Sequence, residues 1–198
     1  MNRRAMPRLV AFAFALLLAA CQGSSETEEP PLAGASIGGD FTLSDQRGQT
    51  RRWSDFRGKY AVVYFGYTYC PDVCPTDVQR TSQGLCAFAK AQPAEAAEVR
   101  QIFISVDPAR DTPSVVGEFA AAFNPAMVAL TGTPEQVAVA AKSFKVFHAK
   151  GEDQGGGAYL VDHSNVTYLF DPAGKPLATL PTDLGADAVA QELAKWVR

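Results

Sequence analysis

Residues Tyr60 to Gly66 read Y-A-V-V-Y-F-G and run straight into Tyr67-Thr68-Tyr69-Cys70-Pro71-Asp72-Val73-Cys74-Pro75. A short, continuous apolar run of this kind is the mark of a strand buried on both faces. A helix is predicted from about Thr76 to Lys90, opened by the capping box Thr76-Asp77-Val78-Gln79 and carrying Leu85, Phe88 and Ala89 as an apolar stripe. Gln101 to Val106 (Q-I-F-I-S-V) is a second buried strand. Strand, helix, strand is a βαβ unit, so the two strands should be parallel with a right-handed crossover. In open α/β sheets ligands bind beyond the carboxyl end of a central strand. Cys70 and Cys74 fall there.

The rest of the chain continues the alternation. Phe41-Thr42-Leu43 and Gln49 to Arg52 flank the turn-rich Asp45-Gln46-Arg47-Gly48, which predicts an opening hairpin. Pro113 to Phe123 is a predicted helix and Met127 to Leu130 a short strand. Thr133-Pro134-Glu135-Gln136 combines an N-cap, a proline at the first helical position and a glutamine at the third, opening a helix to about Phe144. Lys145 to Ala149, Ala158 to Val161 and Val166 to Phe170 read as strands, Asp171 to Gly174 as a turn, and Ala186 to Val197 as a closing helix. With 47% hydrophobic and 20% charged residues the chain is not disordered as a whole. The expectation is one α/β domain over residues 37–198, with antiparallel additions to a parallel core.

The N-terminus has a different character. Arg3, Arg4 and Arg8 precede the apolar run Leu9 to Ala20, whose 12 residues suit a signal-peptide core and fall short of the roughly 20 that span a bilayer. Small residues directly before Cys21 resemble the lipobox of bacterial lipoproteins, in which residues 1–20 are removed and the cysteine is acylated. The alternative is an ordinary secretory signal followed by an accidental cysteine. Residues 21–36 (C-Q-G-S-S-E-T-E-E-P-P-L-A-G-A-S) are polar, acidic and without apolar period, and read as a flexible tether. Both readings put the protein outside the cytoplasm, and the first puts it on the periplasmic face of a bacterial membrane, expected to be the inner one. Removing three arginines from 18 basic residues leaves 15 against 21 acidic. That balance argues against a nucleic-acid partner and against a polybasic membrane-binding face, leaving the lipid as the anchor.

Two cysteines four apart at a helix start can bring both sulfurs to one metal ion or to each other. Helix N–H groups favour the thiolate, the species needed for exchange and for ligation. A structural disulfide is the plain alternative in an oxidising compartment. Structural zinc usually takes four protein ligands, whereas this chain offers two histidines, His148 and His163, and one methionine beyond the leader, Met127. Two thiolates and one imidazole suit copper, but the spacing by itself leaves copper and plain dithiol chemistry level. His163 lies in a predicted loop between two strands, whereas His148 sits among strand residues and reads as structural. Cys86, beside Leu85 and Phe88, reads as a buried, inert thiol. Asp107 and Asp111 flank Pro108-Ala109-Arg110 after the second strand; turn and N-cap chemistry before Pro113 explains most of that motif, with tuning of the nearby site or partner docking as its further role.

Three segments occur in a telling order: F-G-Y-T-Y-C-P-D-V-C-P (Phe65 to Pro75), S-V-D-P-A-R-D-T-P (Ser105 to Pro113) and Y-L-V-D-H-S (Tyr159 to Ser164). Together they resemble the Sco/SenC family over roughly residues 35 to 198. The resemblance implies a thioredoxin-like fold: a central mixed sheet flanked by helices, with an N-terminal hairpin and a β insertion carrying the histidine. It implies copper, Cu(I) or Cu(II), held by Cys70, Cys74 and His163. It implies a metallochaperone assisting assembly of the copper A centre of cytochrome c oxidase, with the copper A-bearing subunit, periplasmic copper donors and thiol reductants as partners. A membrane-anchored thiol–disulfide oxidoreductase is the competing reading, with Cys70 and Cys74 as its redox disulfide and catalytic pair. That reading does not need His163, which therefore discriminates the two.

Overall fold

The computed structural model describes residues 28–198 apart from Gly157; the expected signal peptide, Cys21 and the first part of the tether lie outside the described residues. Strands β1 (Thr42–Asp45) and β2 (Thr50–Arg52) form the opening hairpin, followed by a 3-10 turn at Trp53–Phe56. The βαβ unit is β3 (Tyr60–Gly66), α1 (Val73–Ala91), the short α2 (Pro93–Ala96) and β4 (Val99–Ser105). Then come α3 (Pro113–Phe123), β5 (Val128–Thr131), α4 (Pro134–Ser143), β6 (His148–Lys150), β7 (Val161–His163), β8 (Thr167–Phe170), β9 (Pro176–Leu180) and α5 (Ala186–Trp196).

Seven strands form one mixed sheet in the order β2-β1-β5-β4-β3-β8-β9, and β6 pairs with β7 in a separate two-stranded sheet. β3 and β4 are parallel in register from Tyr60 opposite Val99 to Gly66 opposite Ser105, while β8 runs antiparallel on the other side of β3. Ala61 to Gly66 are all buried, as a central strand requires. One core cluster gathers Phe41, Trp53, Phe65, Phe144 and Phe170; the second gathers Val62, Phe88, Leu169, Leu193 and Trp196, where α1 and α5 pack together. The capping box of α4 forms as the sequence implies, with Thr133 and Gln136 satisfying each other's backbone N–H groups.

Helix α1 starts earlier than expected. Its N-cap is Asp72, so Cys74 and Pro75 already lie in the first turn and Thr76 is no cap. The first-turn N–H groups of a helix have no intrahelical acceptor, so the proline there loses no bond. β9 is a strand the sequence reading did not include. It begins with Pro176 and lies at the sheet edge, where a missing ladder donor is tolerated.

Cys86 is exposed rather than buried. The buried stripe of α1 runs through Cys74, Asp77, Val78, Thr81, Gly84 and Phe88, and Cys86 falls between its turns. The described part of the expected tether is folded against the domain: Leu32 N–H donates to the Leu177 carbonyl, and Lys195 pairs with Glu28. No helix among the described residues is long and apolar enough to cross a membrane.

Candidate metal centre

Three elements converge beyond the carboxyl end of β3. The loop after β3 carries Cys70, the first turn of α1 carries Cys74, and the end of β7 carries His163. One ligand atom from each of the three lies within 4.8 Å of the others. His163 is not in a loop: it closes β7 and stands directly opposite His148 on β6, so His148 is the residue that fixes its strand register. His148 is not a member of the three-residue cluster.

The imidazole is held in one tautomer. Its Nδ1 is 3.0 Å from the Ser164 carbonyl, which can only accept, so Nδ1 carries the proton and Nε2 keeps its lone pair. Nε2 faces the Cys74 Sγ at 3.2 Å, and in the metal-free protein the thiol donates to it. Tyr64 and Tyr67 stand edge-on to the ring at 6.2 and 5.8 Å between centroids and restrict its rotation. Burial holds the His163 pKa below its ordinary value, so the ring is neutral near pH 7, the form in which imidazole ligates a metal.

The two sulfurs differ. Cys70 is half-buried, and its Sγ accepts the Cys74 N–H at 3.5 Å. Cys74 is fully buried, and that burial pushes its thiol well above the ordinary range. The expectation that the helix start favours its thiolate is therefore overturned for Cys74 in the metal-free protein, because desolvation outweighs the first-turn N–H groups. Ligation by a cation replaces the proton and removes that penalty.

Gly66 is what lets Cys74 sit there. A Cβ on Gly66 would lie 2.8 Å from Tyr64 Cε1, 2.9 Å from Cys74 Sγ and 3.2 Å from Phe103 Cε2. The last strand residue must lack a side chain so that the sulfur can approach the backbone.

The loop after β4 does more than turn. Asp111 is fully buried and is not the N-cap; Thr112 is, accepting from Val115 N–H. The Asp111 carboxylate instead accepts from the Thr68 backbone N–H at 3.0 Å, the Thr68 hydroxyl at 2.6 Å and the Ser105 hydroxyl at 2.6 Å. It thereby pins the loop that carries Cys70.

Asp107 and Arg110 take the other arm. Asp107 accepts from the Tyr159 hydroxyl at 2.8 Å and pairs with Arg110 at 2.5 Å, while Arg110 donates to the Tyr159 carbonyl at 3.0 Å. The Arg110 guanidinium lies 3.7 Å from the Tyr159 ring centroid and 4.8 Å from that of Tyr69. One loop thus clasps both the cysteine segment and the histidine segment. Sequence reading missed Arg110, Tyr159, Tyr64 and Tyr67 in these roles; Arg110, Tyr159 and Tyr67 were singled out only by lying inside the three quoted motifs, and Tyr64 lies just before the first.

Arg110→Ala should release the histidine arm. The Asp107 carboxylate would lose its cationic partner, at a cost of about 2 kcal/mol. Urea unfolding reads the stability, and the optical spectrum of the Cu(II)-loaded protein reads the site. Arg110→Lys should not restore the spectrum, because an ammonium cannot stack and bridge as a guanidinium does. An Arg110→Ala protein with the wild-type spectrum would remove the clasp from the account.

A mixed sheet with helices on its faces and a cysteine pair at the junction of a central strand and its following helix defines a thioredoxin-like protein. The thioredoxin domain of a thiol–disulfide oxidoreductase from Bacteroides vulgatus superposes with a TM-score of 0.56 at 19% identity, covering 82% of this chain and 96% of that one, which shows the fold. The SCO1/SenC family model matches residues 29–198, and the chain belongs to that family.

Protein SenC of Rhodobacter capsulatus is 46% identical over 140 residues, 71% of this chain and 61% of that protein. The chain thus spans about three fifths of the length of the curated relatives it matches first. A solved structure of Bradyrhizobium japonicum ScoI with copper bound has a TM-score of 0.72 at 36% identity, covering 81% of this chain and 99% of that one.

Proposed function

We propose that this chain binds one copper ion through the Cys70 and Cys74 thiolates and the His163 imidazole, and passes it to the copper A-bearing subunit of cytochrome c oxidase. The observation that carries the reading is the convergence of those three ligand atoms within 4.8 Å. A metal ion held there would have two soft sulfurs and one nitrogen, a set that accepts Cu(I) and also accommodates Cu(II). The copper is cargo. Cys70, half-buried beside the exposed Tyr69, is the more accessible of the two sulfurs and the natural point of exchange with an incoming acceptor thiol.

The dithiol–exchange reading keeps one observation in its favour: both cysteines are free thiols at the start of a helix in a thioredoxin-like fold. It gives no task to an imidazole held in one tautomer by Ser164 and oriented by two tyrosines. Cells carrying His163→Ala test the difference. They should fail to assemble oxidase copper A when copper is scarce, as should cells with Cys70→Ser or Cys74→Ser. Normal assembly with His163→Ala, alongside failure of either cysteine variant, would favour the oxidoreductase.

The anchor belongs to the same proposal. Acylation at Cys21 would hold the domain at the periplasmic face of the membrane, beside its acceptor. Cys21→Ser should leave the chain unprocessed or soluble, as fractionation and the mass of the product will read. Mature, membrane-bound Cys21→Ser protein would reject the lipobox.

A further inference from the structure

At the end of the domain away from the metal centre lies a cleft of about 460 Å³. Arg57, just before β3, Lys145, just after α4, and Lys175, in the turn between β8 and β9, all line it. The position follows from the sheet. β3 runs from this end toward Cys70, and antiparallel pairing of Ala61 with Phe170 brings the β8–β9 turn to the start of β3. β3 alone separates the two poles by about 20 Å.

The three cations have no ion-pair partner among the described residues. The Arg57 guanidinium is also held in position. A Cβ on Gly174, where φ is +73°, would lie 2.6 Å from the Arg57 guanidinium, so the guanidinium rests directly on the turn backbone. Lys145 has φ of 58°, the only positive value at a non-glycine position among the described residues. Such a conformation is uncommon outside Gly, Asn and Asp. The one acidic side chain of the turn, Asp171, is occupied with the Lys175 backbone N–H at 2.7 Å.

A concentrated cationic cleft is unexpected in a chain with 21 acidic against 18 basic residues. The net charge conceals it. Residues Ala35 to Gly39 form one wall of the cleft, so the chain enters the domain at this pole. Glu28 and Leu32 are already bound to the domain, so the span from Cys21 is the 7 residues to Glu28, which reach about 25 Å at most. An acyl group on Cys21 therefore keeps this end of the domain within one domain diameter of the lipid surface. The acidic entry segment does not fill the cleft with its own charge at Glu28, which pairs with Lys195.

We propose that the cleft between Arg57, Lys145 and Lys175 binds the phosphate of an anionic phospholipid headgroup, seating this pole on the membrane and turning the metal centre away from it. The inference rests on the lipid-anchor reading for its occupant. An acidic domain tethered to an anionic surface is repelled by it unless a cationic pole faces the lipid. Each Lys or Arg brought to such a surface strengthens the association about fivefold. The consequence for function is orientation: Cys70 and Tyr69 are presented outward, toward the acceptor.

The test uses the mature chain as purified from its membrane, reconstituted into vesicles of phosphatidylcholine alone or mixed with phosphatidylglycerol. Backbone hydrogen exchange is followed at residues 35–39, 143–145 and 172–176, and at the metal pole over residues 67–72. Phosphatidylglycerol should slow exchange at the first three segments and leave the fourth unchanged. High salt should abolish the slowing, and Arg57→Glu or Lys175→Glu should weaken it by about fivefold or more. All three cations are exposed, so the variants should keep the wild-type urea midpoint.

Equal exchange in both vesicle types would overturn the proposal. So would the same slowing with inorganic phosphate alone, which would make the cleft a soluble-anion site, or slowing at residues 67–72 instead. The mass of Cys21 is read on the same sample. An acylated chain without lipid-dependent protection rejects the cleft and keeps the anchor. An unacylated chain that is still protected by phosphatidylglycerol keeps the cleft and rejects the anchor.

Discussion

Gly66→Ala should cost this protein most of its copper affinity while leaving the sheet assembled. The new methyl group would meet Tyr64, Cys74 and Phe103 at once, at 2.8, 2.9 and 3.2 Å. Phe103 is fully buried in the core and cannot move aside, and Tyr64 is packed between the sheet and His163. The sulfur is the neighbour with somewhere to go, toward the position the metal would take. Overpacking of this size costs about 1–3 kcal/mol in stability, read as a lower urea midpoint. Displacing one ligand and the tyrosine that orients another should lower copper affinity about 10- to 100-fold. Unchanged affinity in a destabilised Gly66→Ala protein would mean that the Cys74 sulfur is not at the metal.

His163→Ala should split the two oxidation states. The substitution leaves both thiols, the Cys70–Cys74 loop and the first turn of α1 in place, so reduction of a simple disulfide should largely survive. It removes the only nitrogen in the cluster, along with the edge-on contacts to Tyr64 and Tyr67. Cu(II) favours nitrogen and a higher coordination number, whereas Cu(I) is content with two thiolates. Affinity should fall about 100-fold for Cu(II) and about tenfold for Cu(I). Parallel titrations with competing chelators check this, and equal losses for both ions would show that His163 acts on the fold rather than on the metal.

Much of this was legible because periodicity and spacing are local. The unbroken run of β3, the second run of β4 and the capping box of α4 each depend on neighbours within a few residues. Cys70 and Cys74 were legible for the same reason. His163 was not: a lone histidine between strands has many uses, and only the family motif assigned it.

Long-range features left no local trace. Asp111 reaches 43 residues back to Thr68, and Arg110 reaches 49 residues forward to Tyr159, so the clasp exists only once β3, β4 and the β7 segment are assembled. β9 escaped because a run that opens with proline and alternates small residues lacks the apolar continuity of a central strand. Adjacency in sequence to Leu85 and Phe88 suggests that Cys86 shares their face, whereas helical periodicity turns it outward. The cationic cleft was hidden by the net charge, which sums over surfaces that never meet.

The central claim is that Cys70, Cys74 and His163 form one copper site. The most direct test is a copper titration of the purified protein, reduced and then oxidised to the Cys70–Cys74 disulfide, with metal analysis and optical spectra at each step. The reduced protein should take up one copper per chain and, as Cu(II), show sulfur-to-metal charge-transfer absorption. The oxidised protein should bind none at that site and lack the absorption. Full binding by the disulfide form, or a copper-loaded reduced protein without the sulfur-to-metal band, would contradict the account.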